Sequence, residues 1–203
     1  MLIFPRWLWL AFLSAPLMAQ APVPPEGPAE VARDLFHALA AGEWSRAASL
    51  IHPDALIAFQ QQQLSTALIW AEMRASHPNA ASGGNPVLDQ FPDITSLEAL
   101  KAVAPADLLA KYLAAQLPDP ANYDDGRPPI WTRTPLGVVQ EGDTIAHVVY
   151  RVDVDVGRYG ATEETQVVTA RRSGVFWRLL LNKDLTWEGS VRIVRRGDAT
   201  KDP

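Results

Sequence analysis

Cysteine is absent from the 203-residue chain, and this absence removes several kinds of chemistry together. Without cysteine the chain has no disulfide, no thiolate metal site, no cysteine nucleophile and no cysteine for lipid attachment. An exported domain of this size must therefore be held together by its hydrophobic core. Dependence on the core alone favours a bacterial periplasm over a eukaryotic extracellular space.

A dense basic run is also missing from the sequence. The chain has 18 Lys and Arg against 23 Asp and Glu, which gives a formal net charge of −5. The nearest basic cluster is Arg192, Arg195 and Arg196, which we interpret as a solvated end of the chain. Because nucleic-acid binding requires a basic face, we expect no nucleic-acid partner.

Motifs for catalysis and for metal or cofactor binding are absent as well. The sequence has no Gly-rich phosphate loop, no G-x-S-x-G and no H-E-x-x-H. The DVDVG stretch at 153–157 resembles part of a calcium loop, but its alternation favours a strand. His147, Asp153, Glu163 and Glu164 lack the spacing of a metal-ligand set. We therefore expect no metal and no cofactor.

The N-terminal residues have the layout of a secretory signal peptide. Arg6 precedes an apolar run from Trp7 to Met18, and small residues follow this run. The run is short for a membrane span, although an uncleaved anchor is the alternative. Residues 1–20 are thus predicted to be a signal peptide, with cleavage after Ala19 and after Ala21 as the two alternatives. We expect a periplasmic or secreted protein with no membrane span after cleavage.

After a Pro-rich leader at 21–28, the period of the apolar residues predicts helices over 29–117. A stripe of apolar residues at helical spacing is followed by Gly42, which is typical of a helix end. Further helices are predicted from Trp44, across 55–75, and from Pro105. A capping box of Thr95 and Glu98 predicts a short helix, and 76–95 is a loop by composition.

The His52-Pro53-Asp54 stretch has two interpretations. As chemistry, it is a candidate acid/base pair. As structure, Pro53 disfavours a helical His52 and starts the next helix, where Asp54 faces the free amides of the first turn. We favour the structural interpretation.

Beyond residue 130 the apolar period changes from 3.6 to 2, which predicts strands joined by short turns. The predicted strands are 132–140, 144–156, 163–172 and 175–182, with an edge strand in 190–196. The even positions from Ala146 to Val156 are mostly apolar and should face the helices, as should Trp177, Leu179 and Leu181. This predicts one α+β domain at 29–196, with a helical part (29–117), an antiparallel meander sheet (130–196) and a disordered tail at 197–203.

Two stretches resemble the nuclear transport factor 2-like superfamily, which includes SnoaL-type cyclases and ketosteroid isomerases. They are VARDLFHALAAGEWSRAASLIHPDAL (31–56) and, near the C-terminus, EGDTIAHVVYRV with TQVVTARRSGVFWRLLL. The resemblance implies N-terminal helices packed on a curved, cone-like sheet with an apolar pocket between them. It also implies a catalytic Asp about five residues after Asp54, where this chain has Phe59, and a structural role for Asp54. The isomerase base is therefore missing.

Three functional hypotheses remain open. The first and favoured one is an exported, non-catalytic protein that binds a small apolar ligand or an envelope partner in a cone-shaped pocket. Its candidate ligand-binding residues are Phe59, Tyr112, Tyr150 and Trp177. The second is an isomerase, dehydratase or cyclase that uses Tyr150 or His147 for proton transfer. The third is a homodimeric interaction module without a ligand, which requires an apolar outer sheet face.

Overall fold

The computed structural model describes residues 27–77, 84–116, 130–155, 157 and 160–182. The predicted signal peptide, the edge strand in 190–196 and the tail at 197–203 lie outside the described residues. Within the described part, the helices precede the strands along the chain. The fold is α+β, with helices packed on a curved antiparallel sheet, as the sequence predicts.

Proline occupies the first position of three of the described helices, and glycine ends one of them. Their bounds are α1 (Pro28–Ala41), α2 (Trp44–Ser49), α3 (Pro53–Ser76), α4 (Leu97–Ala102) and α5 (Pro105–Ala115). Gly42 ends α1 in the left-handed conformation with a φ of 70°. The Gly42 N–H bonds the Leu39 carbonyl and the next N–H bonds the Ala38 carbonyl, which is a Schellman arrangement.

One predicted cap is wrong by a residue. The cap of α4 is Ser96, whose hydroxyl accepts a hydrogen bond from the Ala99 N–H at 3.1 Å. The sequence predicted Thr95 as the N-terminal cap of α4, because Glu98 lies three residues after it. The helix starts one residue later, so the amide three residues beyond the cap is that of Ala99 and not that of Glu98.

The described part of the loop between α3 and α4, from residue 84 onward, packs on the core, although the loop's composition is polar. Asn85 is buried; its side chain donates to the Ala67 carbonyl at 2.9 Å and accepts from the Val87 N–H at 3.2 Å. Phe91 and Ile94 of the same loop are also buried. Residues 88–90 form a short 3-10 helix. The loop therefore supplies part of the core beside α3.

Over residues 130–182, as far as the structure describes them, the sheet is a four-stranded antiparallel meander with the strand order of the sequence. Its strands are β1 (Ile130–Glu141), β2 (Ile145–Asp155), β3 (Ala161–Ser173) and β4 (Phe176–Leu179). The register between β1 and β2 shifts between Pro135 and Gly137. Such a bulge bends a strand and increases its twist.

The inner face of the sheet packs against the helices. Alternate residues of β2 from Ala146 to Val154 are buried, as are Trp177 and Leu179, which confirms the predicted facing of the strands. Leu181 is half-buried. The inner-face residues join those of α1, α2, α3 and α5 in one hydrophobic cluster.

The link between α2 and α3 is tied to the edge of β4. The His52 N–H donates to the Leu179 carbonyl at 2.8 Å, and the Leu179 N–H donates to the Leu50 carbonyl at 3.0 Å. These two bonds form a short parallel bridge at Ile51. They satisfy backbone groups that an edge strand otherwise leaves open.

Candidate functional site

The interior between sheet and helices contains the four aromatic residues predicted to bind a ligand. Phe59, Tyr112, Tyr150 and Trp177 are each no more than 9% exposed. Buried side chains in a protein interior pack closely, so the space between them is filled by their own atoms. The interior as described is thus a packed core at these positions.

The four residues lie in separate pairs. Tyr150 packs against Phe36 of α1 with ring centroids 4.7 Å apart, and Phe59 of α3 meets Tyr112 of α5 edge to face at 5.2 Å. The ring of Trp177 instead faces a guanidinium group on the neighbouring strand. The structure therefore places them in one core without showing a shared ligand cavity in its described part.

Tyr150, a candidate for proton transfer, has its hydroxyl group engaged. The Asn182 amide donates to the Tyr150 oxygen at 3.0 Å and also to the Val167 carbonyl at 3.0 Å. The Tyr150 side chain is fully buried. This contact orients the phenol within the core, where it satisfies a polar group that burial would otherwise penalise.

His147, the other candidate for proton transfer, lies on the opposite face of the sheet. Its Nε2 is 3.1 Å from Glu141 Oε2, and its Nδ1 is 3.1 Å from Thr169 Oγ1. About a third of the His147 side chain is exposed. Because residues that alternate along a strand point to opposite faces, His147 and Tyr150 cannot act on one substrate inside the cone.

His52 and Asp54 form a helix cap. His52 Nδ1 accepts a hydrogen bond from the Asp54 N–H at 3.2 Å, and His52 is only 7% exposed. The Asp54 carboxylate is largely exposed and lies 3.5 Å from an Arg171 guanidinium nitrogen. The start of α3 at Pro53 agrees with the predicted boundary. The side-chain acceptor is His52 itself, which sequence reasoning missed.

Among the clefts of the described surface are two that the predicted aromatic residues do not line. One has a volume of about 410 Å³ and lies at the end of the sheet; its walls include Asp153, Asp155 and Glu163. The other, of about 520 Å³, lies beside α5 and is lined in part by Phe91 and Pro92. No group of three or more His, Asp or Glu residues in the described part of the chain is arranged to hold a metal ion.

The outer sheet face carries apolar side chains that the sequence analysis did not single out. Val149 and Val167 are paired across β2 and β3, and Val139 lies diagonally next to Val149. Val139 and Val167 are 60% and 47% exposed. These three residues are named the valine row. Val149 falls at an odd position of β2, which is the signal that could have identified the row.

The second half of α3 exposes more apolar surface. Leu68, Ile69, Trp70 and Met73, here the α3 patch, are between 38% and 56% exposed. Ile69 and Met73 are four residues apart and share one side of the helix, with Leu68 and Trp70 on either side of them. No ionisable residue occurs from Ala55 to Ala71. Uninterrupted helical sequence predicts the length of α3, but it does not predict that this surface is left uncovered.

No described helix combines the length and apolar character that a bilayer crossing requires. Comparisons with protein-family models, with curated proteins and with solved structures found no match to the chain. The site is therefore characterised by its own geometry. That geometry is a packed interior, two separated proton-transfer candidates, and exposed apolar surface on α3 and on the outer sheet face.

Proposed function

We propose that the chain is an exported, non-catalytic binding protein that holds an envelope partner protein on the α3 patch. We also propose that it is a distant member of the nuclear transport factor 2-like superfamily. The observation that carries the first proposal is the exposure of Leu68, Ile69, Trp70 and Met73. An apolar cluster of this kind on the surface of a folded chain commonly marks a site of protein binding.

Most of α3 is uncharged, since its only ionisable residues are Asp54 at its start and Glu72 and Arg74 near its end, and this supports a protein partner. The surface from Ala55 to Ala71 has no Lys or Arg that would attract an acidic ligand and no carboxylate that would attract a basic one. Trp70 contributes a large, rigid side chain of the type enriched at binding hot spots. A helix or loop with uncharged, apolar side chains complements this surface.

Catalysis and ligand binding inside the cone receive less support. The rings of Phe36 and Tyr150 pack at a tilt of 42° with their centroids 4.7 Å apart, so a ligand in that region has to displace them. A proton-transfer role requires Tyr150 or His147 to reach a substrate, and these residues point to opposite faces of β2. A surface partner requires neither rearrangement.

Site-specific photocrosslinking in cells that export the protein tests the proposal. A photoreactive residue at position 69 should form an adduct of one discrete mass with an envelope protein, and Trp70→Ser should weaken it at least tenfold. The matched control places the same residue at Gln61, which is exposed on the same helix outside the α3 patch. Equal adducts at both positions, or none at position 69, would contradict the proposal.

A second candidate function, the homodimeric module, is favoured by the valine row and by the charges around it. Arg171 and Arg178 lie at one end of the outer face, and Asp153 and Glu163 lie at the other. A two-fold axis perpendicular to the strands brings the basic end of one copy onto the acidic end of the other. In that case native mass spectrometry should show a dimer that Val167→Lys converts to a monomer. If the wild-type spectrum shows only a monomer, this alternative is excluded.

A further inference from the structure

The turn between β3 and β4 displays two apolar side chains at its tip. Val175 is 78% exposed and Phe176 is 39% exposed. Gly174 takes the left-handed conformation with a φ of 63°, which allows the tight reversal that projects the following residues. These two apolar residues are here named the hairpin tip.

Arginines surround the hairpin tip on both faces of the sheet. Arg171 pairs with Arg178 in the register, and Arg172 pairs with the inner-face residue Trp177. The Arg172 guanidinium lies 5.6 Å from the Trp177 ring centroid, and that of Arg178 lies 5.6 Å from the Phe176 ring centroid. The aromatic rings therefore hold two of the three cations beside the apolar tip.

The positive charge of this hairpin is only partly offset. The Arg171 guanidinium lies 3.5 Å from Asp54, whereas Arg172 and Arg178 have no ion-pair partner in the part of the chain that the structure describes. No acidic residue occurs between positions 171 and 178. On a chain of net charge −5, the hairpin is a local basic region.

We propose that the hairpin tip binds the surface of an anionic phospholipid bilayer. Val175 and Phe176 enter the headgroup region, and Arg172 and Arg178 bind lipid phosphate groups on either side. Apolar residues at the interface and arginines that pair with phosphate are the two contributions that such binding requires. A soluble polyanion would bind the arginines, but it would make no use of the exposed apolar side chain of Val175.

Vesicle flotation of the mature exported protein tests this inference. At low salt the protein should float with vesicles of phosphatidylethanolamine and phosphatidylglycerol, and much less with vesicles of phosphatidylcholine. Arg172→Gln and Arg178→Gln should each weaken the partition coefficient about fivefold, because each basic residue contributes about that factor near an anionic surface. Val175→Ser should weaken it severalfold without affecting the fold.

Ile130→Ser provides the matched control, because Ile130 is 66% exposed and lies at the opposite end of the sheet from the hairpin tip. This variant should float like the wild type. The proposal is overturned by any of three results: no binding to anionic vesicles at low salt, equal loss in Ile130→Ser, or no loss in Val175→Ser. Binding to immobilised heparin that needs the arginines but not Val175, together with absent flotation, identifies a polyanion surface and also overturns it. None of these results depends on crosslinking at position 69.

Discussion

His52 shows how one side chain connects local sequence with the fold. Pro53 keeps His52 out of the helical region, and His52 adopts an extended conformation with φ −65° and ψ 136°. In that conformation Nδ1 reaches the Asp54 N–H, so the neutral ring carries its proton on Nε2. The backbone of the same residue bonds β4. The residue therefore joins the start of α3 to the edge of the sheet.

This role predicts the effect of two substitutions at position 52. His52→Ala removes the acceptor for the Asp54 N–H and should lower the free energy of unfolding by about 1 to 2 kcal/mol. His52→Asn supplies a side-chain oxygen at the same cap and should recover most of the loss. Urea denaturation of the three proteins measures the difference. If Asn is as destabilising as Ala, packing and not capping is what His52 provides.

At this scale the sequence predicted the boundary but not the atom that caps it. Pro53 and Gly42 constrain the backbone through their own covalent geometry, so they can be read from sequence. The choice between His52 and Asp54 as the acceptor depends on which side chain turns toward the free amide. The wrong cap at Thr95 has the same origin, since two adjacent hydroxyl residues, Thr95 and Ser96, differ only in where the helix starts.

Among the elements, α5 is linked to the loop before α4 by a hydrogen-bonded ion pair between Lys111 and Asp93. The hydrogen bond from Lys111 lowers the pKa of the Asp93 carboxyl group below its ordinary value. A carboxyl group whose pKa is depressed by folding stabilises the folded state above its unfolded-state pKa of about 3.9. That contribution is lost as the pH falls through the lower folded-state value.

Removing the ion pair should therefore change the pH dependence of stability on the acid side. The stability difference between the wild type and Asp93→Asn should be constant from neutral pH to about pH 5 and should shrink below about pH 4. Denaturation midpoints measured across this range check the expectation, with Asp107→Asn, an exposed carboxylate in the first turn of α5, as the control. A difference that stays constant below about pH 3 would exclude the ion pair as its source.

The strands were predictable as elements because alternation of apolar residues marks a half-buried sheet. The bulge at Pro135 and Gly137 was not, since it depends on how β1 registers against β2. The sequence also did not predict that the α3 patch is exposed. The sequence of α3 is apolar on several sides, and only the positions of the neighbouring elements decide which side stays uncovered.

At the scale of the whole molecule, the described residues are built around one core that includes helices and sheet. Val31 and Leu35 of α1, Leu109 of α5 and Val148 of β2 belong to the same buried cluster. Sequence patterns identify most of these residues, because burial follows from periodicity. The candidate binding surfaces are less accessible to such reasoning. An exposed Val175 and a buried Val148 are the same residue type in strands or turns, and their difference arises only from the packing of the complete chain.

A shared core predicts that helices and sheet unfold together. Leu179 is fully buried, and its backbone bonds Leu50 and His52 across the two halves of the fold. Leu179→Ala should lower the free energy of unfolding by about 2 to 5 kcal/mol, whereas Val175→Ala at the exposed turn should change it by less than about 0.5 kcal/mol.

Far-UV circular dichroism reports the helices and near-UV circular dichroism reports the packed aromatic rings. The two transitions should coincide in the wild type and shift together in Leu179→Ala, because a single core cannot lose its sheet and keep its helices packed. Separate midpoints in the wild type would show two independently folding units and would refute this account of the core.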